Sequence, residues 1–269
     1  MSAEWTEIEF VPTVKAYPAL SRKYGEVCCV AGVQLHPDGS TEWIRLYPVP
    51  FRTLDDERQF RKYEPIRVRV QSHSGDTRPE TRRPDIYSIE PSGRVVSAAD
   101  GWRARRPLVE PLMSRSMCEL LREERESRRS LGVFRPAEIL ALEIQPVEQA
   151  ADRAEIAAAS AAQGSLLSEK EVAVLEATPF VFKYRYRCSD PDCRTHTQTI
   201  IDWEIAAFYR KVRNTSGWED GMRRKWVDEL CAPGRDTAFI VGNMHQHPQS
   251  FLVLGVWWPP LEPEQLRIG

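Results

Sequence analysis

Apolar residues in the first 92 positions come in short runs, several of them with a period of two. Val27–Val33 (Val-Cys-Cys-Val-Ala-Gly-Val) has the near-continuous apolar content of a buried strand. Asp38-Gly39 supplies a turn, and Thr41–Tyr47 (Thr-Glu-Trp-Ile-Arg-Leu-Tyr) returns as a hairpin partner, ended by Pro48-Val49-Pro50. Ile66–Val70 alternates Ile-Arg-Val-Arg-Val, which turns its apolar residues to a core and Arg67 and Arg69 to solvent. Asp85–Glu90 is a further strand candidate. Between these, Arg52–Tyr63 has helical spacing, with Leu54, Phe60 and Tyr63 on an inner face. Short strands around one small helix suit a small barrel better than a parallel sheet.

The period then changes. Met113, Met117, Leu120 and Leu121 recur at helical spacing, which predicts a helix over 110–130, stopped by Ser130-Leu131-Gly132-Val133-Phe134-Arg135-Pro136. Ile139–Ile144 reads as a strand. Residues 146–176 are rich in Ala, Glu and Ser and hold no aromatic residue, the composition of a surface helix or loop joining two halves. A strand opens at 179, helices follow at about 199–213 and 217–231, and Asp236–Gly242 and Ser250–Trp257 close the chain as strands. The expectation is an α+β, mainly β protein, with a first domain over 1–145, a linker over 146–176 and a second domain over 177–269.

Composition narrows the class without naming a function. The apolar fraction of 42% and charged fraction of 28% are those of an ordinary globular chain. No run of about 18 apolar residues is present, and the acidic start Met-Ser-Ala-Glu-Trp-Thr-Glu lacks a signal core, so a cytoplasmic location is expected. In that setting six cysteines argue for thiols or metal ligands rather than disulfides. A net charge of −2 exerts no global pull on nucleic acid.

Candidate chemistry concentrates in residues 180–204. Cys188-x4-Cys193-x2-His196 places two thiols and an imidazole around a Pro-Asp turn, a spacing that suggests zinc. The bland alternative is two ordinary thiols beside a turn, with His196 capping the next helix. A tetrahedral structural site needs a fourth donor, for which His247, stiffened by Pro248, is preferred over His245. Without one, an open position would permit hydrolysis. On the preceding strand Phe182, Tyr184 and Tyr186 share one face while Lys183, Arg185 and Arg187 share the other. The tyrosines are either core residues or a stacking platform for bases. The basic face, with Arg67, Arg69, Arg45 and the Arg22-Lys23 pair in the first half, is either plainly solvated or a phosphate-binding groove. Asp202 and Glu204 invite a metal-dependent nuclease reading, although residues two apart on a helix diverge, and one of them capping the helix start is the simpler role. Cys118 reads as a buried thiol on its helix.

Several segments resemble the prokaryotic dual-OB-domain family: Ser21-Arg-Lys-Tyr-Gly-Glu-Val-Cys-Cys-Val-Ala-Gly32, Trp43-Ile-Arg-Leu-Tyr-Pro-Val-Pro-Phe-Arg52, Ser130-Leu-Gly-Val-Phe-Arg-Pro-Ala-Glu-Ile139, the Cys188–Glu204 segment, and Gly242-Asn-Met-His-x-His-Pro-x-Ser-Phe-Leu-Val-Leu-Gly255. The resemblance implies two OB-like barrels in tandem with inserted helices and a zinc-knuckle-like insertion in the second. It further implies binding of single-stranded DNA or RNA by a non-catalytic subunit or sensor of a bacterial antiviral defence or DNA/RNA-processing system, beside a nuclease, helicase or other partner protein. A metal-dependent hydrolase using Asp202 or Glu204, and a protein-interaction scaffold, are the competing expectations.

Overall fold

The computed structural model describes residues 4–21, 24–147, 175–176 and 178–262. Most of the Ala-rich linker, and Arg22 and Lys23, lie outside the described residues. The first half contains β1 (Thr6–Lys15), β2 (Ala19–Ser21), β3 (Gly25–Leu35), β4 (Thr41–Val49), β5 (Ile66–Ser72), β6 (Thr81–Pro84) and β7 (Glu90–Pro91). Five of these run in the order β1-β3-β4-β6-β5, and β5 pairs back onto β1, closing a five-stranded barrel. The β4–β6 pair is parallel and its neighbours are antiparallel. Strand β5 follows its period of two: Ile66, Val68 and Val70 are buried, while Arg67 and Arg69 face out.

Three local expectations change. Strand β1 was not foreseen, because Pro12 interrupts its pattern; the proline sits at a register shift, where a missing N–H costs the ladder little. Arg52–Tyr63 is no helix but two 3-10 turns, Phe51–Thr53 and Asp56–Arg58, each followed by an extended residue. Leu54, Phe60 and Tyr63 are buried all the same, since turns can deliver apolar residues inward as a helix face does. Asp85–Glu90 is mostly a 3-10 turn, because the Asp85 side chain accepts the Tyr87 N–H and curls the chain before β7.

The second half comprises β8 (Met113–Ser114), α1 (Met117–Ser127), β9 (Leu131–Phe134), β10 (Pro136–Pro146), β11 (Phe180–Cys188), β12 (His196–Thr199), α2 (Trp203–Val212), α3 (Trp218–Arg223) with a π-helical continuation over Arg224–Glu229, β13 (Ala238–Asn243) and β14 (Phe251–Trp257). Strands β14-β13-β9-β8 form one sheet and β10-β11-β12 another. They meet where β9 runs on into β10, and at the Ile200–Val253 bridge, where the Ile201 N–H donates to Val253 O at 2.9 Å. The segment expected only to stop a helix thus carries β9. Pairing of β9 with β13 also assigns residues 113–145 to the second half rather than to a first domain ending at 145. Gly132 in β9 makes room for α1: a Cβ there would lie 2.5 Å from Leu120 Cδ2. At the helix start Ser116 accepts the Glu119 N–H, a capping bond that sets the position of Cys118 in the first turn.

The halves share a core. Val11, Val33, Trp43, Tyr63 and Trp102 pack in one cluster with Val133, Ile240, Leu254 and Trp257. The Trp102 and Trp257 rings meet edge-on at 4.9 Å. Polar bolts surround this seam. Buried Arg45 donates to Ser130 Oγ at 2.8 Å and Ser130 O at 3.0 Å. Lys62 holds Asp202 at 2.9 Å and Glu204 at 3.0 Å.

Burial pushes the Asp202 carboxyl up to about 6, against the opposing pull of the Lys62 ammonium. A carboxyl raised above its ordinary 3.8 contributes stability that is complete below about pH 4 and lost as pH rises through about 6. Lys62→Met leaves that carboxylate buried without a counter-charge and is expected to cost about 3 kcal/mol at pH 8. The deficit should shrink at pH 5, where Asp202 takes up a proton. Thermal melts of both forms at the two pH values check this; a pH-independent deficit would contradict it.

Candidate functional site

One cluster of soft donors stands out among the described residues. Cys118, Cys188, Cys193 and His196 place their ligand atoms within 4.8 Å of one another. The Cys188 and Cys118 sulfurs are 3.6 Å apart, and His196 Nε2 lies 3.4 Å from the first and 3.5 Å from the second. Four donors at about 2.0–2.3 Å around one ion in a tetrahedron stand roughly 3.5 Å from each other, the spacing seen here. Three of the four residues come from element ends and the fourth from a turn. Cys118 lies in the first turn of α1, Cys188 ends β11, Cys193 sits in the following turn, and His196 begins β12. The turn is built by Asp190, whose carbonyl accepts the Cys193 N–H at 3.0 Å and whose carboxylate accepts the Asp192 N–H at 3.1 Å. Arg122 of α1 grips the same carboxylate at 2.9 Å, so the turn is fastened to the helix that carries Cys118.

The electrostatics fit a cation. Burial acts to raise the Cys188 thiol, yet the backbone N–H groups of Asp190 and Cys118 and the neighbouring thiols outweigh it and hold it below its ordinary value. Burial and then the Cys188 sulfur push Cys118 up to about 12, and burial likewise raises Cys193. Three thiols crowded together resist ionising side by side; a divalent ion removes that repulsion and draws all three down. Burial lowers His196 against the pull of Asp190, which favours the neutral imidazole a metal needs. Its ring stacks on Tyr186 at 5.2 Å. The set can hold a metal ion, and three cysteines with one histidine are compatible with zinc.

Cys118, rather than His247 or His245, completes the group that could hold a metal ion. His247 is exposed in the 244–250 loop, which is tied to itself by the His247 N–H to Met244 O and the Ser250 N–H to His247 O. Gln249 of that loop meets Glu124 and Arg125, almost two turns beyond Cys118, about 10 Å along the helix. His245 turns instead to the first half, 3.3 Å from Asp76. No local signal marks Cys118 as a donor: Ser116 shows only where the helix begins, and packing of α1 beside the β11–β12 turn brings the thiol to the cluster.

The other sequence candidates part company. Tyr184 and Tyr186 are fully buried, donating to Trp226 O at 2.6 Å and Gln198 Oε1 at 2.5 Å, so they are core residues and offer no ring to a base. Arg45 is buried in the seam. Arg67 pairs with Glu90, Arg69 with Asp85, Arg185 with Glu143 and Arg187 with Glu138. The register makes this inevitable on β11, where Glu138 stands opposite Arg187 and Glu143 opposite Lys183, so a neighbouring acidic stripe matches the basic one. Asp202 is 1% exposed, caps α2 by accepting the Glu204 N–H at 3.0 Å, and shares Lys62 with Glu204. Neither carboxylate belongs to the donor cluster.

A second feature was not legible in the sequence: a cleft of about 590 Å³ where the halves meet. Its first wall is the outer face of β3 and β4 (Cys29, Arg45, Tyr47) with Tyr24 and the 73–80 loop. Its second is β13 and the 244–250 loop. The Tyr47 ring lies 6.1 Å from His73 and 6.3 Å from Tyr24. Burial acts to raise Asp76, but hydrogen bonds and charge from Arg78, with the charge of Arg45, hold it well below its ordinary range. Arg78 also donates to Asn243 O at 2.7 Å, latching the two loops.

A family model described as a domain of unknown function (DUF8757) matches residues 113–268. The chain belongs to this family. A second model, also a domain of unknown function (DUF8758), matches residues 6–111. In this DUF8757 member the two matches adjoin where the sheet pairing divides the chain, just before β8. No curated protein matches the chain. Among the described residues no helix is long and apolar enough to cross a membrane.

Cobalt(II) added to metal-free protein reports the donor set directly. Thiolate charge-transfer absorption is expected in the wild type, to fall in Cys118→Ser and Cys193→Ser, and to persist in His245→Ala and His247→Ala. Unchanged absorption in Cys118→Ser would return the site to the histidine loop.

Proposed function

We propose that the protein binds single-stranded nucleic acid in the cleft between its halves, and that Cys118, Cys188, Cys193 and His196 hold a structural zinc ion. The observation that carries the first reading is the place of the cleft on the barrel. OB barrels, which are five-stranded Greek-key barrels, take oligonucleotides on the face of their second and third strands, between the loop after the first strand and the loop between the last two. Here β3 and β4 are the second and third barrel strands, and the 73–80 loop joins the last two. Tyr24 ends the segment after β1, and Arg22 and Lys23 precede it in sequence. The rings of Tyr24, Tyr47 and His73 supply flat apolar faces of the kind that stack bases without sequence preference.

The second half supports an OB-like reading as well. Its strands follow the same succession, with β9 and β10 as one bent first strand, then β11, β12, β13 and β14, and helices between the third and fourth. The Ile200–Val253 contact is parallel, as the β4–β6 pair is in the first barrel. We read it as a barrel opened at that seam, with the zinc ion joining its second and third strands to α1. Four protein donors leave no position for water, which makes the ion structural. The protein then serves as a non-catalytic subunit or sensor of a bacterial defence or DNA/RNA-processing system, presenting nucleic acid to a nuclease or helicase.

Labelled single-stranded DNA, single-stranded RNA and duplex, titrated across a salt series, test the binding. Retention of the single strands that weakens with salt is expected. Tyr47→Ala should lower affinity about tenfold, as loss of one base stack does. Arg67→Ala and Arg187→Ala, which remove outward strand arginines already paired with carboxylates, should leave it near wild type. No binding at low salt would refute the reading, and losses confined to the strand arginines would move the site.

A further inference from the structure

The exposed large apolar side chains among the described residues are Trp5, Tyr87 and Met244, at 42%, 76% and 41% exposure. They are far apart in sequence, yet they line two spaces that have one wall residue in common. Met244 belongs to the cleft. Trp5 and Tyr87 line a separate groove of about 320 Å³, walled by Pro48, Pro84 and Arg83. Tyr24 lines both. The two spaces therefore meet at Tyr24.

Charge on this extension differs from that on the strand faces. Arg83 is exposed and makes no ion pair among the described residues, whereas Arg67, Arg69, Arg185 and Arg187 are each matched by a carboxylate. Arg58 lies 6.0 Å from the Tyr87 ring. Asp85 in the same groove is taken up by Arg69 at 2.5 Å and by the Tyr87 N–H. Exposed rings beside an unmatched guanidinium are what a nucleotide needs: a stacking face for the base and a cation for the phosphate.

We propose that the Trp5–Tyr87 groove is a second nucleotide subsite, which stacks the base next to the one held in the cleft, so that the barrel engages at least two consecutive unpaired nucleotides of one strand. The proposal rests on the nucleic-acid reading of the cleft and adds a direction to it. The strand runs from the loop latch at Arg78 and Asn243, over Tyr24, toward Arg83 and Tyr87. A protein segment in the groove is the rival occupant, and it would leave oligonucleotide affinity independent of Trp5.

Affinities for a mononucleotide and for homo-oligomers of two, four and eight residues, in deoxy and ribo series, test it. Wild type should gain at least tenfold from one to two or four nucleotides. Trp5→Ala and Tyr87→Ala should each remove about tenfold for the oligomers, the loss of one base stack, and leave mononucleotide affinity unchanged. Both positions are exposed, and melting temperatures establish that the variants fold. Arg83→Ala should lower oligomer affinity and reduce its salt dependence. If Tyr47→Ala weakens all ligands while Trp5→Ala and Tyr87→Ala change none, the second subsite is overturned and the cleft stands. If no form binds any single strand, both fall.

Discussion

Burial of a common apolar seam is the constraint on which the other features depend. The wall of the first barrel that carries Val11, Val33 and Trp43 would face water if the second half were removed, as would Ile240, Leu254 and Trp257 on the other side. An apolar surface of that kind drives association in proportion to its area. The Arg45–Ser130 and Lys62–Asp202 contacts are consequences of it. Once the seam excludes water, polar groups caught at its margin must find partners within the protein, and each found one across the junction. The cleft is the part of this margin that the side chains do not fill.

The donor cluster solves a different problem. Helix α1 rests on β9 through Leu120 and Gly132, but its amino end extends past that contact toward the β11–β12 turn. Three sulfurs brought together there repel one another as thiolates, and burial adds to the cost of ionising them. A metal ion held there would relieve that repulsion and crosslink a helix and two strands. Stacked against Tyr186, whose hydroxyl is itself fixed by Gln198, His196 has little freedom to turn away.

Patterning along the chain decided much of this in advance. The period of two in Ile66–Val70 predicted which side of β5 is buried, and the alternation of Phe182, Tyr184 and Tyr186 with Lys183, Arg185 and Arg187 predicted two faces for β11. The Cys188-x4-Cys193-x2-His196 spacing marked three of the four donors, because a turn of that length brings its ends together whatever surrounds it. These are local properties, set by backbone geometry over a few residues.

Only the tertiary structure decided what those faces and donors meet. Cys118 lies 70 residues before Cys188 in sequence, and it reaches the cluster because β9, which follows its helix, pairs with β13 near the end of the chain. The tyrosines of β11 became core, and its arginines were matched by Glu138 and Glu143, because β10 happens to lie alongside with an acidic stripe. Asp202 and Glu204, two residues apart, converge on Lys62 from the other half, a contact between positions 140 residues apart for Asp202. Likewise Tyr24, Tyr47, His73 and Asn243 share a cleft that no stretch of sequence outlines. Side-chain periodicity fixes which way a residue faces, but partners are chosen by long-range strand pairing and by the seam, and those depend on the whole chain at once.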